Sequence, residues 1–369
     1  MKIVIITTHS KTNVGYVRFS HDLIRFLQKN NNKVVVICDE VSENLKGVKQ
    51  FPILPGPLNF KKNYWFAWVY LFKLIKHRKD LKGFDLIHCV PEVYSFFTFL
   101  LSKFIGIKYF LHTHGTFAVL FFNYKTYGFL QGIAYKNARK IICVSDYTRR
   151  RILEEKKNLT NLTVIPNGVN LNNFDTDENV GFLDKENIIL SVGSLKTRKG
   201  FDLLIKAVAL AQKNMPDIKC YIVGGEAGGS DYYNYLVDLA KKEKAENVFF
   251  LKNISDEELK GLYRKAKLFV MTTVSDKYSF DGFGMVYLEA NAHGAPVIGS
   301  YDSGAEEAIK NGYNGFLTKP KDINDITEKI LELFLNQELY GKMSKNSLDW
   351  AKKLSWDNTV QEYIKIYRQ

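Results

Sequence analysis

Two acids, Asp281 and Glu289, stand eight residues apart in the stretch DGFGMVYLEA, with Gly282, Phe283 and Gly284 between them and mostly apolar neighbours beyond. An ionised carboxylate only accepts hydrogen bonds, which suits the adjacent hydroxyls of a sugar or ribose. The glycines mark a tight loop, and the helical pattern begins around Phe283 or Gly284. Glu289 then lies about one and a half turns into a helix while Asp281 stays in the loop before it. Both acids can face one site, with the amides of the turn Gly282, Phe283 and Gly284 open to phosphate or sugar oxygens. The same spacing also fits a purely structural arrangement, in which Asp281 caps the helix and Glu289 pairs with a surface lysine.

A second stretch has the complementary chemistry. In SVGSLKTRKGFDLLIKA, Gly193 follows a strand, and Lys196, Arg198 and Lys199 precede Gly200 at the start of an amphipathic run. Cations beside a helix N-terminus bind anions, and arginine can grip a phosphate with a fork of donors. This reads as a diphosphate site, with a solvated basic loop as the plain alternative. Gly15, in the loop expected after the first strand, would let a phosphate or sugar approach the backbone closely. Acids for hydroxyls, with bases and amides for phosphates, describe a nucleotide-sugar site.

These residues need elements to hold them. Short β-branched runs, KIVIIT, KVVVIC, DLIHCV, KYFLHT and KIICVS, then NIILSV, KCYIVG, NVFFL, LFVMT and APVIGS, alternate with longer amphipathic stretches. Continuous apolar strands between helices imply parallel sheets covered on both faces. The expected fold class is α/β, with two Rossmann-like doubly wound domains facing a central cleft, and ligands at the carboxyl ends of the strands. Pro166, Asn167 and Gly168 mark a linker. The expected division is 1–169, 170–354 and a closing helix over 355–369 that returns towards the first domain. With 369 residues, 46% of them hydrophobic, two cores are expected. The four cysteines, Cys38, Cys89, Cys143 and Cys220, show no paired or metal-ligand spacing. They suggest a reducing, cytoplasmic setting, and the short apolar N-terminus fits neither a signal peptide nor a span.

At this point a resemblance becomes specific. NGYNGFL, YDSGAEEAI, EANAHGAPVIGS, RKGFDLLIKA, VIPNGVNLNNF, CVSDYTRRRIL and DGFGMVYLE resemble, as an ordered set, the retaining nucleotide-sugar glycosyltransferases of family four, which have the GT-B fold. The resemblance implies that Glu289 holds the donor ribose and Asp281 the hydroxyls of the transferred sugar. It implies diphosphate contacts from Lys199 and from the amides around Phe283, Gly284 and Met285, with Gly15 as the N-terminal glycine. Asn253, in LKNIS, matches a segment near the base, and His114, in YFLHTHGTF, a histidine beside the reacting centre. Three positions depart from the family pattern: Asp281 stands where a Glu is usual, Ser194 where many members have an arginine, and Val14 where a glycine is usual. Arg198 is placed to compensate for Ser194. The implied route is front-face transfer with retention of configuration and no metal or other cofactor. A GT-B sugar epimerase or phosphorylase is the alternative. The acid pair DTD at Asp175 to Asp177 reads as a chance loop.

The formal charge of +13 is unevenly spread. Residues 1–168 carry 26 Lys and Arg against 10 Asp and Glu, a net of +16, and the remainder carries 26 against 29, a net of −3. Such a half faces a polyanion or is a lysine-rich solvated surface. Residues 61–79, KKNYWFAWVYLFKLIKHRK, contain a 12-residue run from Tyr64 to Ile75 that is apolar except for Lys73. It is too short to span a bilayer, and reads either as a core helix or as an interfacial one. A second aromatic stretch, TFAVLFFNYKTYGFLQ, follows His114. The expected acceptor is therefore a glycan or lipid-linked precursor of polysaccharide biosynthesis, with peripheral contact to the anionic inner face of the cell membrane. No nucleic-acid motif is present. VGGEAGGS lacks the G-x-G-x-x-G spacing of a dinucleotide dehydrogenase.

Overall fold

A computed structural model describes residues 1–9, 14–57, 67–173, 185–225 and 230–369. The chain forms two compact units, one of Met1–Gly168 with Trp356–Gln369, the other of Val169–Ser355. The sheet of the first unit contains β1 (Lys2–Ile6), β2 (Lys33–Cys38), β3 (Lys49–Pro52), β4 (Leu86–Cys89), β5 (Lys108–Thr113), β6 (Lys140–Cys143) and β7 (Leu162–Val164). All pairings are parallel, in the order β3-β2-β1-β4-β5-β6-β7. In the second unit, β8 (Glu186–Val192), β9 (Lys219–Val223), β10 (Val248–Leu251), β11 (Ala266–Val270), β12 (Val297–Ser300) and β13 (Gly315–Thr318) run in the order β10-β9-β8-β11-β12-β13. Each order reverses once, between β1 and β4 and between β8 and β11. The loops leaving the two strands at each reversal diverge and open a crevice.

Strands β1, β2 and β4 are buried along their length, apart from the first lysines of β1 and β2, because both sheet faces are covered. The last helix, Trp356–Tyr367, completes the first unit's core: Trp356, Val360, Tyr363, Ile364 and Tyr367 pack with Ile3, Ile5, Phe19, Leu86 and Phe110. Burying aromatic side chains of this size contributes roughly 2–3 kcal/mol each. All four cysteines are free and buried. The helix expected after β1 begins at Val14, so Gly15 lies in its first turn and not in a loop. Tyr16, Phe19, Leu23 and Leu27 recur on one face of that helix and draw its start towards β1. First-turn amides have no partner within the helix, so the Gly15 amide still points outward.

Candidate functional site

The loop after β8 rises into a short turn, Thr197–Lys199, fastened to the end of β11. The Val274 amide donates to the Arg198 carbonyl at 2.8 Å, and Thr272 Oγ1 donates to the Gly200 carbonyl at 2.9 Å. Gly200 has φ +67°, and a Cβ there would lie 1.9 Å from the Thr272 carbonyl oxygen, so only glycine permits this approach. The strand reversal thus brings the basic loop beside the segment that carries Asp281.

Asp281 is buried and ion-paired with both cations. Arg198 donates to Oδ1, and Lys199 Nζ donates to Oδ2 at 2.5 Å. Burial alone would push the Asp281 carboxyl up, but the Lys199 and Arg198 charges and their hydrogen bonds outweigh it and hold the group below the usual range. Lys196 extends the cluster. Burial, then the charges of Arg198 and Lys199, push its ammonium down. One expectation is corrected here: Asp281 does not cap the following helix, and each of its carboxylate oxygens instead accepts from a cation that sheet topology places next to it.

The helix Met285–Ala292 starts one or two residues later than expected, with Gly284 as its N-cap at φ +87°. Its approach is braced by the segment after β12. The Gly304 amide donates to the Asp281 carbonyl at 2.9 Å, and a Cβ on Gly304 would lie 2.1 Å from the Gly282 carbonyl. Gly282 and Phe283 are buried, whereas Gly284 and Met285 are partly exposed at the helix N-terminus, where amides lack intrahelical acceptors. Glu289 is not a surface partner of lysine. It is 5% exposed, and its Oε2 accepts from the Tyr263 hydroxyl at 2.9 Å. The Tyr263 ring stacks on His293 at 5.4 Å, and a hydrogen bond of 2.9 Å joins His293 Nδ1 to the Glu289 carbonyl. Tyr263 lies on the helix Asp256–Lys265, which starts with a capping box of Ser255 and Glu258. Sequence reasoning missed Tyr263, which lies 26 residues from Glu289 and outside every local pattern around it. Asn253 sits just after edge strand β10, exposed and at φ +55°. Asp175 to Asp177 lie outside the described residues.

His114 belongs to the first unit, directly after β5. It stacks on His112 at 4.3 Å between ring centroids and meets the edges of Tyr16 and Phe19. Burial, with His88 adding, pushes its pKa down to about 3, so the ring is neutral at pH 7. Its Nε2 is enclosed with no hydrogen-bond partner among the described residues. The column continues inward from His112 to His88, where the hydroxyls of Tyr363 and Tyr367 meet the two rings. Sequence reasoning also missed Glu92. Its Oε1 accepts from the His114 amide and its Oε2 from the Tyr16 hydroxyl, both at 2.6 Å. Burial pushes its carboxyl up to about 7 despite the hydrogen bonds from Tyr16, His114 and Gly115. The available signal was an acid directly after an apolar strand end, in HCVPEVY.

The aromatic stretch before β4 forms the helix Ala67–Ile75, and residues 61–66 lie outside the described residues. One side of this helix is part of the core and the other is exposed. Ala67, Leu71 and Leu74 are buried, whereas Trp68, Val69 and Phe72 are exposed, Phe72 at 67%. This helix packs on Ser95–Ile105, which packs on Lys125–Asn137, where Phe129 is 66% exposed. Among the described residues, no helix is long and apolar enough to cross a membrane.

Residues 15–173 match the Glycosyltransferase Family 4 description, and residues 173–350 match Glycosyl transferases group 1. The chain is 32% identical over 309 residues to an uncharacterized glycosyltransferase of Methanocaldococcus jannaschii, covering 81% of this chain and 79% of that one. It is 30% identical to a GDP-mannose-dependent α-(1-6)-phosphatidylinositol monomannoside mannosyltransferase of Mycolicibacterium smegmatis, over 58% of each chain. Among solved structures, HepE of Anabaena in complex with UDP superposes with a TM-score of 0.79 at 19% identity, covering 99% of each chain. Sucrose-phosphate synthase of Thermosynechococcus elongatus gives 0.78 at 20% identity, covering 100% of this chain and 98% of that one. The doubly wound sheets, the matches to both halves and the shared sequence lead to one conclusion: the chain belongs to the family 4 glycosyltransferases and has the GT-B fold.

Proposed function

We propose that this glycosyltransferase moves a sugar, with retention of configuration, from a nucleotide-diphosphate sugar to a hydroxyl on a glycan or lipid-linked acceptor. The observation that carries the proposal is the charge cluster of the second unit. Arg198 and Lys199 converge on a single carboxylate, Asp281, with the charge of Lys196 nearby, so the three cations leave an excess of two positive charges beside a helix N-terminus. A diphosphate supplies the missing negative charge. HepE, solved with UDP and with UDP-glucose, supports a donor of this class. Glu289, held by Tyr263, accepts hydrogen bonds from the ribose, and Asn253 lies towards the base.

In the transfer step the bond between the anomeric carbon and the diphosphate oxygen breaks, and its electron pair stays on that oxygen. Arg198, Lys199 and the amides of Gly284 and Met285 stabilise the departing charge. The acceptor hydroxyl bonds to the anomeric carbon from the same face, and its proton passes to the leaving oxygen. Neutral His114 takes part as a hydrogen-bonding group rather than as a cation. On this reading the side-chain cations carry the charge stabilisation, and transfer needs no metal.

The first unit, net +16, receives the acceptor, and Trp68, Val69 and Phe72 seat it on anionic lipid. Two experiments test the proposal. Thermal shifts against a panel of nucleotide sugars identify the donor, and product analysis then follows transfer in excess EDTA. Nucleoside diphosphate released only when acceptor is present supports transfer; release without acceptor points to epimerisation and overturns it. Co-sedimentation with anionic but not neutral liposomes tests the lipid contact, and absence of binding at low salt refutes it.

A further inference from the structure

The ion pairs of Asp281 carry a consequence for binding. Arg198 and Lys199 are the cations best placed for a diphosphate, yet each already donates to one carboxylate. All three side chains are largely buried, with side-chain exposures of 24%, 13% and 10% for Arg198, Lys199 and Asp281, so solvent screens the cluster weakly. An anion entering the site must share these donors with a fixed negative charge or displace it.

We propose that Asp281 is a built-in counter-ion that loosens the grip of Arg198 and Lys199 on the diphosphate, and does so more for the nucleoside diphosphate product than for the sugar donor. The inference rests on the diphosphate reading above. Cleavage of the sugar bond frees one diphosphate oxygen from its ester, and once the proton it took from the acceptor passes to solvent at neutral pH, the product carries one more negative charge than the donor. A carboxylate held beside the same cations repels that added charge and lowers product affinity relative to donor affinity. Asp281 thereby favours turnover: it holds the two cations in position while the site is empty, and weakens the product's hold once transfer is complete. A side chain that served only to hold the fold would have the opposite signature on removal, because loosened cations bind anions less well.

The test titrates inorganic pyrophosphate by calorimetry into the full-length wild-type protein and three variants. Asp281→Asn keeps the shape and removes the charge, and should bind pyrophosphate at least about tenfold more tightly. Asp281→Glu restores the charge and should return affinity towards wild type. Lys199→Met should bind more weakly than wild type. Asp281→Ser carries the same expectation as Asp281→Asn and replaces it if that variant does not fold. Once the donor is known, the product inhibition constant in Asp281→Asn should fall by a larger factor than the donor KM. If Lys199→Met weakens binding but neither charge-removing variant tightens it, the counter-ion role is overturned and the diphosphate site stands. If Lys199→Met binds as wild type does, or no variant binds pyrophosphate, the diphosphate reading itself fails and the counter-ion role with it.

Discussion

Replacing Glu92 by Gln keeps the side-chain shape and removes its ionisation. The Gln oxygen can still accept from the His114 amide, and its nitrogen can donate to the Tyr16 hydroxyl, so both contacts survive. In the wild type, burial moves this carboxyl from an ordinary 4.5 to about 7. Below pH 4.5 the folded and unfolded chains both hold the proton, and the stability it confers is fully present. Between pH 4.5 and 7 the folded chain keeps a proton that the unfolded chain has lost, so stability falls as pH rises, and above 7 the loss is complete. A shift of this size corresponds to about 3 kcal/mol at about 1.4 kcal/mol per pH unit. Glu92→Gln has no such titration. Its stability relative to wild type should therefore rise by about 3 kcal/mol between pH 4.5 and pH 8. Urea unfolding followed by hydrogen exchange in peptides from residues 86–120 isolates the first unit. A stability difference between the two proteins that stays constant over this range would refute the reasoning.

Four further outcomes follow from the geometry. Glu289→Ala should weaken donor binding and raise KM, and Tyr263→Phe should do so less while costing about 1–3 kcal/mol of stability, because a buried carboxylate oxygen loses this donor; wild-type KM in both would remove the ribose assignment. Asp281→Ala should reduce transfer, measured as sugar incorporated into acceptor. Gly200→Ala combines a left-handed backbone with a Cβ 1.9 Å from the Thr272 carbonyl, and should cost about 4 kcal/mol or more in the second unit, read by calorimetry. Trp68→Ser with Phe72→Ser should abolish sedimentation with anionic liposomes while leaving Tm within a few degrees, because both side chains are exposed.

Ten of the thirteen strands among the described residues are legible in the sequence, and the three that are not lie at sheet edges. Strand β3 is Lys-Gln-Phe-Pro with a single buried residue, β7 is Leu-Thr-Val with none, and β13 is Gly-Phe-Leu-Thr with two. A strand with one neighbour needs no continuous apolar run, so its signal is weak. The fourth edge strand, β10, is readable because it keeps an unbroken apolar run, Val-Phe-Phe-Leu, although none of its residues is fully buried. The residues of the site were legible by type: acids, cations and glycines stand out against apolar strands. Their partners were not. Tyr263 and Glu92 look like ordinary helix and loop residues until the sheet brings them to Glu289 and to His114.

The sequence by itself determined the alternation of strands and helices, the concentration of positive charge in the first half, and the ordered motifs that carry the family likeness. All of these are local or compositional, and periodicity and residue chemistry suffice to read them. Only the tertiary structure decided which groups Asp281 meets. Arg198 and Lys199 stand 83 and 82 residues before it, and they meet it because β8 and β11, not consecutive in the chain, are neighbours where the strand order reverses. No local pattern encodes that adjacency. It follows from burying both faces of a parallel sheet, and it pairs an acid that the sequence marks only by type with the two cations beside it.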